Sequence, residues 1–269
     1  MRSPSNVRRR RSLLRRKRKG PAGVMTLSEH LAELRTRLIV SAIAFLAASI
    51  AAFAFFGPIL QFLVKPLCSV DPKYLGPQGC HPIYLSALEP FSIRLKVSAL
   101  VAVVASSPVW LYELWAFITP GLTQKERRYA GPFVITSIAL FSLGAAFGYI
   151  TLPKGLAFLF SLGAGEIVAF INAQQYINFV GLLLLGFGVT FELPLVLLFL
   201  GLAGLIEVQQ LKRQRRLAIV SIALLAAIVT PSQDPYTMLA MAVPLWVFYE
   251  VTILVLSAVS KRRAARNGI

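Results

Sequence analysis

The chain has 269 residues, of which 57% are hydrophobic and only 14% charged, with a formal net charge of +17. Soluble domains carry about 25% charged residues, so the composition excludes an ordinary soluble fold and points to an all-α polytopic membrane protein. The excess of cations suits a nucleic-acid partner only until it is mapped: the basic residues cluster between apolar segments.

Residues 1–24 contain Arg8-Arg9-Arg10-Arg11 and Arg15-Arg16-Lys17-Arg18-Lys19, followed by Gly20-Pro21. Such a tail buries no core and is expected to be disordered. Near an anionic leaflet each basic residue contributes about 1 kcal/mol, so anionic lipid is the expected partner, and nucleic acid is not. The tail is not a cleaved signal peptide, because the apolar run after it is too long and lacks a small-residue cleavage site. Met25, where regular sequence begins, is a second candidate start.

Thr26 and Glu29 form a capping-box pattern. Leu27, Leu31, Leu34 and Leu38 then recur on one face, predicting an amphipathic lead-in to the first span. Glu33 lies on the polar side, four residues before Arg37, the spacing of a helical ion pair.

Six apolar stretches follow: Leu38–Phe56, Leu95–Phe117, Tyr129–Leu152, Phe179–Leu205, Leu217–Val229 and Met238–Ser257. A hydrocarbon core of about 30 Å calls for about 20 apolar residues, and most of the six meet that. The fifth does not: it covers about 20 Å at a rise of about 1.5 Å per residue and stops at Thr230-Pro231. Either its ends lie a turn further out, or the bilayer thins around it.

Of the 28 Lys and Arg, 23 fall in residues 1–37, Lys125–Arg128, Lys212–Arg216 and Lys261–Arg266. By the positive-inside rule these segments are cytoplasmic, giving six transmembrane helices with both termini inside. The membrane domain is expected over residues 25–258, with a basic cytoplasmic tail over 259–269. Cys68 and Cys80 share the proline-rich first exported loop, where an oxidising environment favours a disulfide between them. His30 and His81 fall on opposite sides of the membrane, so no metal cluster is expected.

The loop Trp115–Arg128 is denser in aromatics, Pro-Gly and charge than a connector needs, and it reads as a shaped cytoplasmic surface. Within it, Thr123-Gln124-Lys125-Glu126 repeats the capping-box pattern, and Glu113 precedes Phe117 by about a turn. Glu192, with Pro194, lies in the longest apolar run, where an ionisable group costs at least about 2.5 kcal/mol and is expected to serve function. Glu250 sits nearer a surface. No phosphate-binding glycine loop, metalloprotease pattern or serine elbow occurs, so neither an enzyme nor a cofactor is expected.

His30-Leu31-Ala32-Glu33-Leu34-Arg35, Trp115-Ala116-Phe117 with Lys125-Glu126-Arg127-Arg128, Phe191-Glu192-Leu193-Pro194, Thr230-Pro231 with Asp234-Pro235, and Tyr249-Glu250 together resemble the TatC family. TatC proteins are receptor subunits of the twin-arginine protein translocase, and the motifs run in the family's order from about Met25 to Ser257. The resemblance implies a concave, glove-like six-helix bundle in the cell membrane. It implies binding of twin-arginine signal peptides on folded cargo, with Glu33 and Glu126 reading the arginines and Phe117 packing on the signal. Arg35, Arg127 and Arg128 are then expected to orient the carboxylates, with Glu113, where relatives more often carry an amide, adding negative charge. The resemblance further implies an oligomeric complex in which single-span TatA- and TatB-type subunits dock along the fifth and sixth helices, and transport driven by the proton-motive force. The expected intramembrane and partner site comprises Glu192, Thr230, Asp234, Glu250 and Met238, the last standing where relatives can carry glutamine. A proton-coupled transporter also places a carboxylate in mid-membrane, but the two halves of this chain show no repeat. A scaffold without a cargo site would tolerate neutralisation of Glu33 and Glu126.

Overall fold

The structure is a computed structural model that describes residues 27–77, 79–118, 130–163, 170–232 and 234–266. The described residues form ten α-helices and two short 3-10 turns. Helix α1 (Leu27–Ala54) joins the lead-in and the first span in one element, because neither glycine nor proline interrupts it. Thr26, the expected cap, lies outside the described residues. Helix α2 (Phe56–Val64) follows a break beside Gly57-Pro58.

The second apolar stretch is not one straight helix. It divides into α3 (Glu89–Ala105) and α4 (Ser107–Ile118), bent by 54°. Pro108 has no N–H to donate back into α3, so the ladder fails there. The Trp110 indole bridges the break by donating to the Val103 carbonyl at 3.0 Å.

Helix α5 (Ala130–Ser161) is continuous through Pro153. The fourth stretch divides as well, into α6 (Ala173–Thr190) and α7 (Leu193–Leu202), with Glu192 at the joint and Pro194 in the first turn of α7. Helices α8 (Val208–Arg213), α9 (Arg215–Val229) and α10 (Pro235–Arg266) complete the chain.

Among the described residues, four apolar stretches are long enough to cross a membrane: Leu27–Ala54, Gly131–Ser161, Ala173–Leu202 (through the α6–α7 joint) and Pro235–Arg262. The bent α3–α4 pair makes a fifth. Helix α9 starts two residues before the expected boundary and ends where expected, so its 15 residues cover about 22 Å.

The core centres on α6, where Val180, Leu183 and Phe187 are fully buried together with Phe141 of α5. Small residues bring these two helices together, as in many membrane bundles. A Cβ on Gly144 would lie 2.6 Å from the Phe187 carbonyl oxygen, and one on Gly188 would lie 2.9 Å from the Phe141 ring. Helix α1 sits at the periphery: Ala52 is its one buried residue, and Leu31, Leu38, Ile43 and Ile50 are exposed.

A cap closes one end. Cys68 and Cys80 are joined by a disulfide. Ile83 donates to the Ile171 carbonyl and accepts from the Ala173 N–H, both at 2.9 Å, tying the cap to the start of α6. The Tyr176 hydroxyl donates to the Leu63 carbonyl at 2.8 Å. A cavity of about 470 Å³ lies beneath, lined by Leu60, Cys68, His81 and Tyr176 among others.

Candidate functional site

At the other end, the first turns of α1 meet the last turns of α4. Glu33 and Arg37, one helical turn apart on α1, form the ion pair that their spacing predicts. Arg37 uses both Nε (3.1 Å) and Nη2 (2.5 Å) on the same oxygen, Oε1 of Glu33. Its Nη1 donates to Oε2 of Glu113 on α4 at 2.8 Å. One guanidinium therefore bridges two carboxylates, leaving the cluster with a net charge of −1.

The cluster is shielded but not sealed: the side chains of Glu33, Arg37 and Glu113 are 21%, 24% and 14% exposed. Charge-assisted hydrogen bonds in such a setting are among the stronger polar contacts. Beside it, the His30 ring stacks on Phe117 with centroids 4.2 Å apart and planes 16° apart. Four of the residues here, His30, Glu33, Glu113 and Phe117, thus lie across one α1–α4 contact, and Arg37 joins them.

Arg35 is exposed and makes no ion pair among the described residues. Glu126, Arg127 and Arg128 lie outside the described residues, in the segment that follows Ile118 directly. The i,i+4 spacing predicts Arg37 as a local partner of Glu33 but not its reach to Glu113. The spacing on α1 gave half of that signal; the contact with α4 has no trace in a single sequence.

The residues expected within the membrane do not form one cluster. Glu192 accepts from the Ser137 hydroxyl of α5 at 2.6 Å through Oε2, while Oε1 is buried without a hydrogen bond of good geometry among the described residues. Ser137, fully buried, was not singled out from the sequence. Thr230 ends α9, its hydroxyl donating to the Ala226 carbonyl at 2.7 Å.

Asp234 caps the start of α10. Its Oδ1 accepts the Thr237 N–H at 2.8 Å, and its Oδ2 accepts the hydroxyls of Thr237, at 2.5 Å, and Ser232. This is N-cap geometry, which satisfies donors that a helix start leaves unpaired. Met238 is half-buried one turn along the same helix. Glu250 accepts from Arg215 at 2.7 Å, linking α10 to the start of α9. No group of metal-ligating side chains occurs among the described residues.

An all-α bundle with four or five spans long and apolar enough to cross a membrane has the architecture of a multi-pass membrane protein, here with a guanidinium–carboxylate cluster at one end. Residues 29–244 match the family described as Sec-independent protein translocase protein (TatC). The chain is 42% identical over 250 residues to the TatC protein of Frankia casuarinae, covering 91% of this chain and 68% of that one. It is 41% identical to the TatC protein of Aquifex aeolicus, covering 85% of this chain and 93% of the relative. A crystal structure described as the twin-arginine translocase receptor TatC superposes with a TM-score of 0.71 at 40% identity, covering 84% of this chain and 98% of that one. The chain belongs to the TatC family of Sec-independent protein translocases.

Proposed function

We propose that the chain is the signal-peptide receptor of a twin-arginine translocase in the cell membrane. The observation that carries this reading is the pairing of Glu33 and Glu113 across one α1–α4 contact, already holding a guanidinium, beside the aromatic face of Phe117. A carboxylate accepts the planar fork of arginine through two parallel hydrogen bonds, whereas an ammonium offers a point charge, so such a surface favours Arg-Arg over Lys-Lys. Glu33 and Glu126 read the arginines, Phe117 packs on the apolar part of the signal, and Arg35, Arg127 and Arg128 orient the acids.

In this reading α1, α3–α4, α5, α6–α7, α9 and α10 are six spans of a concave bundle, with both termini and the α1–α4 cluster cytoplasmic and the disulfide-linked cap exported. The basic clusters support that orientation. The polybasic tail lies against anionic lipid. TatA- and TatB-type subunits dock along α9 and α10, where Met238 and the short α9 lie, and form an oligomeric complex with this chain. Short helices thin the bilayer around them, which suits a place where folded cargo crosses. Glu192, a buried carboxylate held by Ser137 at the α6–α7 joint, serves the intramembrane step, and the proton-motive force supplies the energy.

Photo-cross-linking from residue 117 tests the site. A probe replacing Phe117 in the full chain in nanodiscs captures an Arg-Arg signal peptide and leaves the Lys-Lys version free. Equal capture of both peptides contradicts the reading.

A further inference from the structure

Arg37 poses a problem for the site just described. A peptide guanidinium that engages Glu33 through two parallel bonds needs both of its oxygens. Oε1 already accepts two N–H groups from Arg37. An incoming arginine would meet a like charge on the acceptor that it requires.

Glu113 offers the way out. It holds the third donor of Arg37 at 2.8 Å through Oε2, and its Oε1 accepts no hydrogen bond among the described residues. Guanidinium has five N–H donors in a fixed fork, so Arg37 can turn onto both oxygens of Glu113 without recruiting a further residue. We infer that Arg37 is a resident occupant of Glu33 that yields this carboxylate to the peptide arginine and withdraws onto Glu113. The inference rests on the receptor reading and assigns Arg37 and Glu113 roles in it: neither need touch the peptide, and both set how readily Glu33 is released.

The charges balance. Before exchange one cation bridges two anions, with a net charge of −1. Afterwards two cations face two anions in separate pairs, and the cluster is neutral. All three side chains are partly exposed, so the exchange moves no charge from water into a sealed core. With an amide at 113, Arg37 would have Glu33 as its one charged partner in the cluster, and releasing it would leave a shielded guanidinium facing a neutral acceptor. The acid at 113 therefore lowers the cost of exchange.

The test is binding of a fluorescent Arg-Arg signal peptide, and its Lys-Lys counterpart, to the full chain in nanodiscs. The unmutated chain is compared with Glu113→Gln, Arg37→Gln and the double variant, with melting temperature as the folding control. Glu113→Gln is expected to weaken Arg-Arg binding about fivefold, the upper range for a partly exposed pair. Adding Arg37→Gln restores binding to within about twofold of the unmutated chain, and Arg37→Gln alone binds at least as well as that chain. This rescue distinguishes an occupant from a residue that merely holds Glu33 in place. Unchanged binding in Glu113→Gln overturns the inference, as does a double variant no better than the single one. If Glu113→Gln does not fold, weaker binding by Arg37→Gln alone overturns it. Absence of an Arg-Arg preference in the unmutated chain instead removes the receptor reading, and the inference with it.

Discussion

Arg37 Nη1 lies 2.8 Å from Glu113 Oε2 across 76 residues of sequence, and this bond fastens the peripheral helix α1 to α4. Most of α1 is exposed, so polar contacts at its ends weigh more than they would on a buried helix. A double-mutant cycle of Arg37→Gln and Glu113→Gln, read by thermal unfolding in detergent, should give a coupling of about 1 kcal/mol. Additive effects would mean that the bond contributes nothing to the fold.

The α5–α6 contact predicts a steric failure. Gly144→Ala places a methyl 2.6 Å from a backbone oxygen that cannot swing aside, so α5 must shift. A loss of about 1–3 kcal/mol is expected, seen as a lower melting temperature. Gly131→Ala, with nothing within 4 Å of the new Cβ, serves as the control and should not lose stability.

Removing the cap cross-link by Cys68→Ser with Cys80→Ser should destabilise the chain by about 2–4 kcal/mol through the freed loop. Reductant should lower the melting temperature of the unmutated protein by the same amount and leave the variant unmoved. Equal sensitivity of the two would contradict this.

Glu192→Gln keeps the shape of the side chain and its hydrogen bond to Ser137 while removing the ability to ionise. Export of an Arg-Arg cargo should fall several-fold while signal-peptide binding stays intact, because Glu192 bonds Ser137 of α5 and is not one of the residues paired across α1 and α4. Unchanged export would show that ionisation at this position is not used.

Much of this architecture was legible because membrane spans are read from composition and length alone. The short fifth helix stood out by the same measure, since Thr230-Pro231 ends it at Val229. Cys68 and Cys80 could be paired because they share one short loop. The two breaks were less visible: Pro108 and Pro194 mark them, yet the α3–α4 run hides a 54° bend that costs it no hydropathy, and α6–α7 still reads as one span. The site was half legible. Glu33 and Arg37 are one turn apart and announce their pairing, whereas Glu113 and His30 find their partners through the packing of α1 on α4, which one sequence does not encode in any local pattern. Asp234 also caps α10, a role that its position before Pro235 did not announce.

The receptor reading is tested most directly by signal-peptide affinity. Arg-Arg and Lys-Lys peptides should be titrated against the full chain in nanodiscs and against a Glu33→Gln, Glu126→Gln double variant. A clear Arg-Arg preference in the unmutated chain, lost in the variant, is the predicted result. Equal affinity for both peptides, unchanged by the substitutions, would contradict it and leave Glu33 with only its ion pair to Arg37.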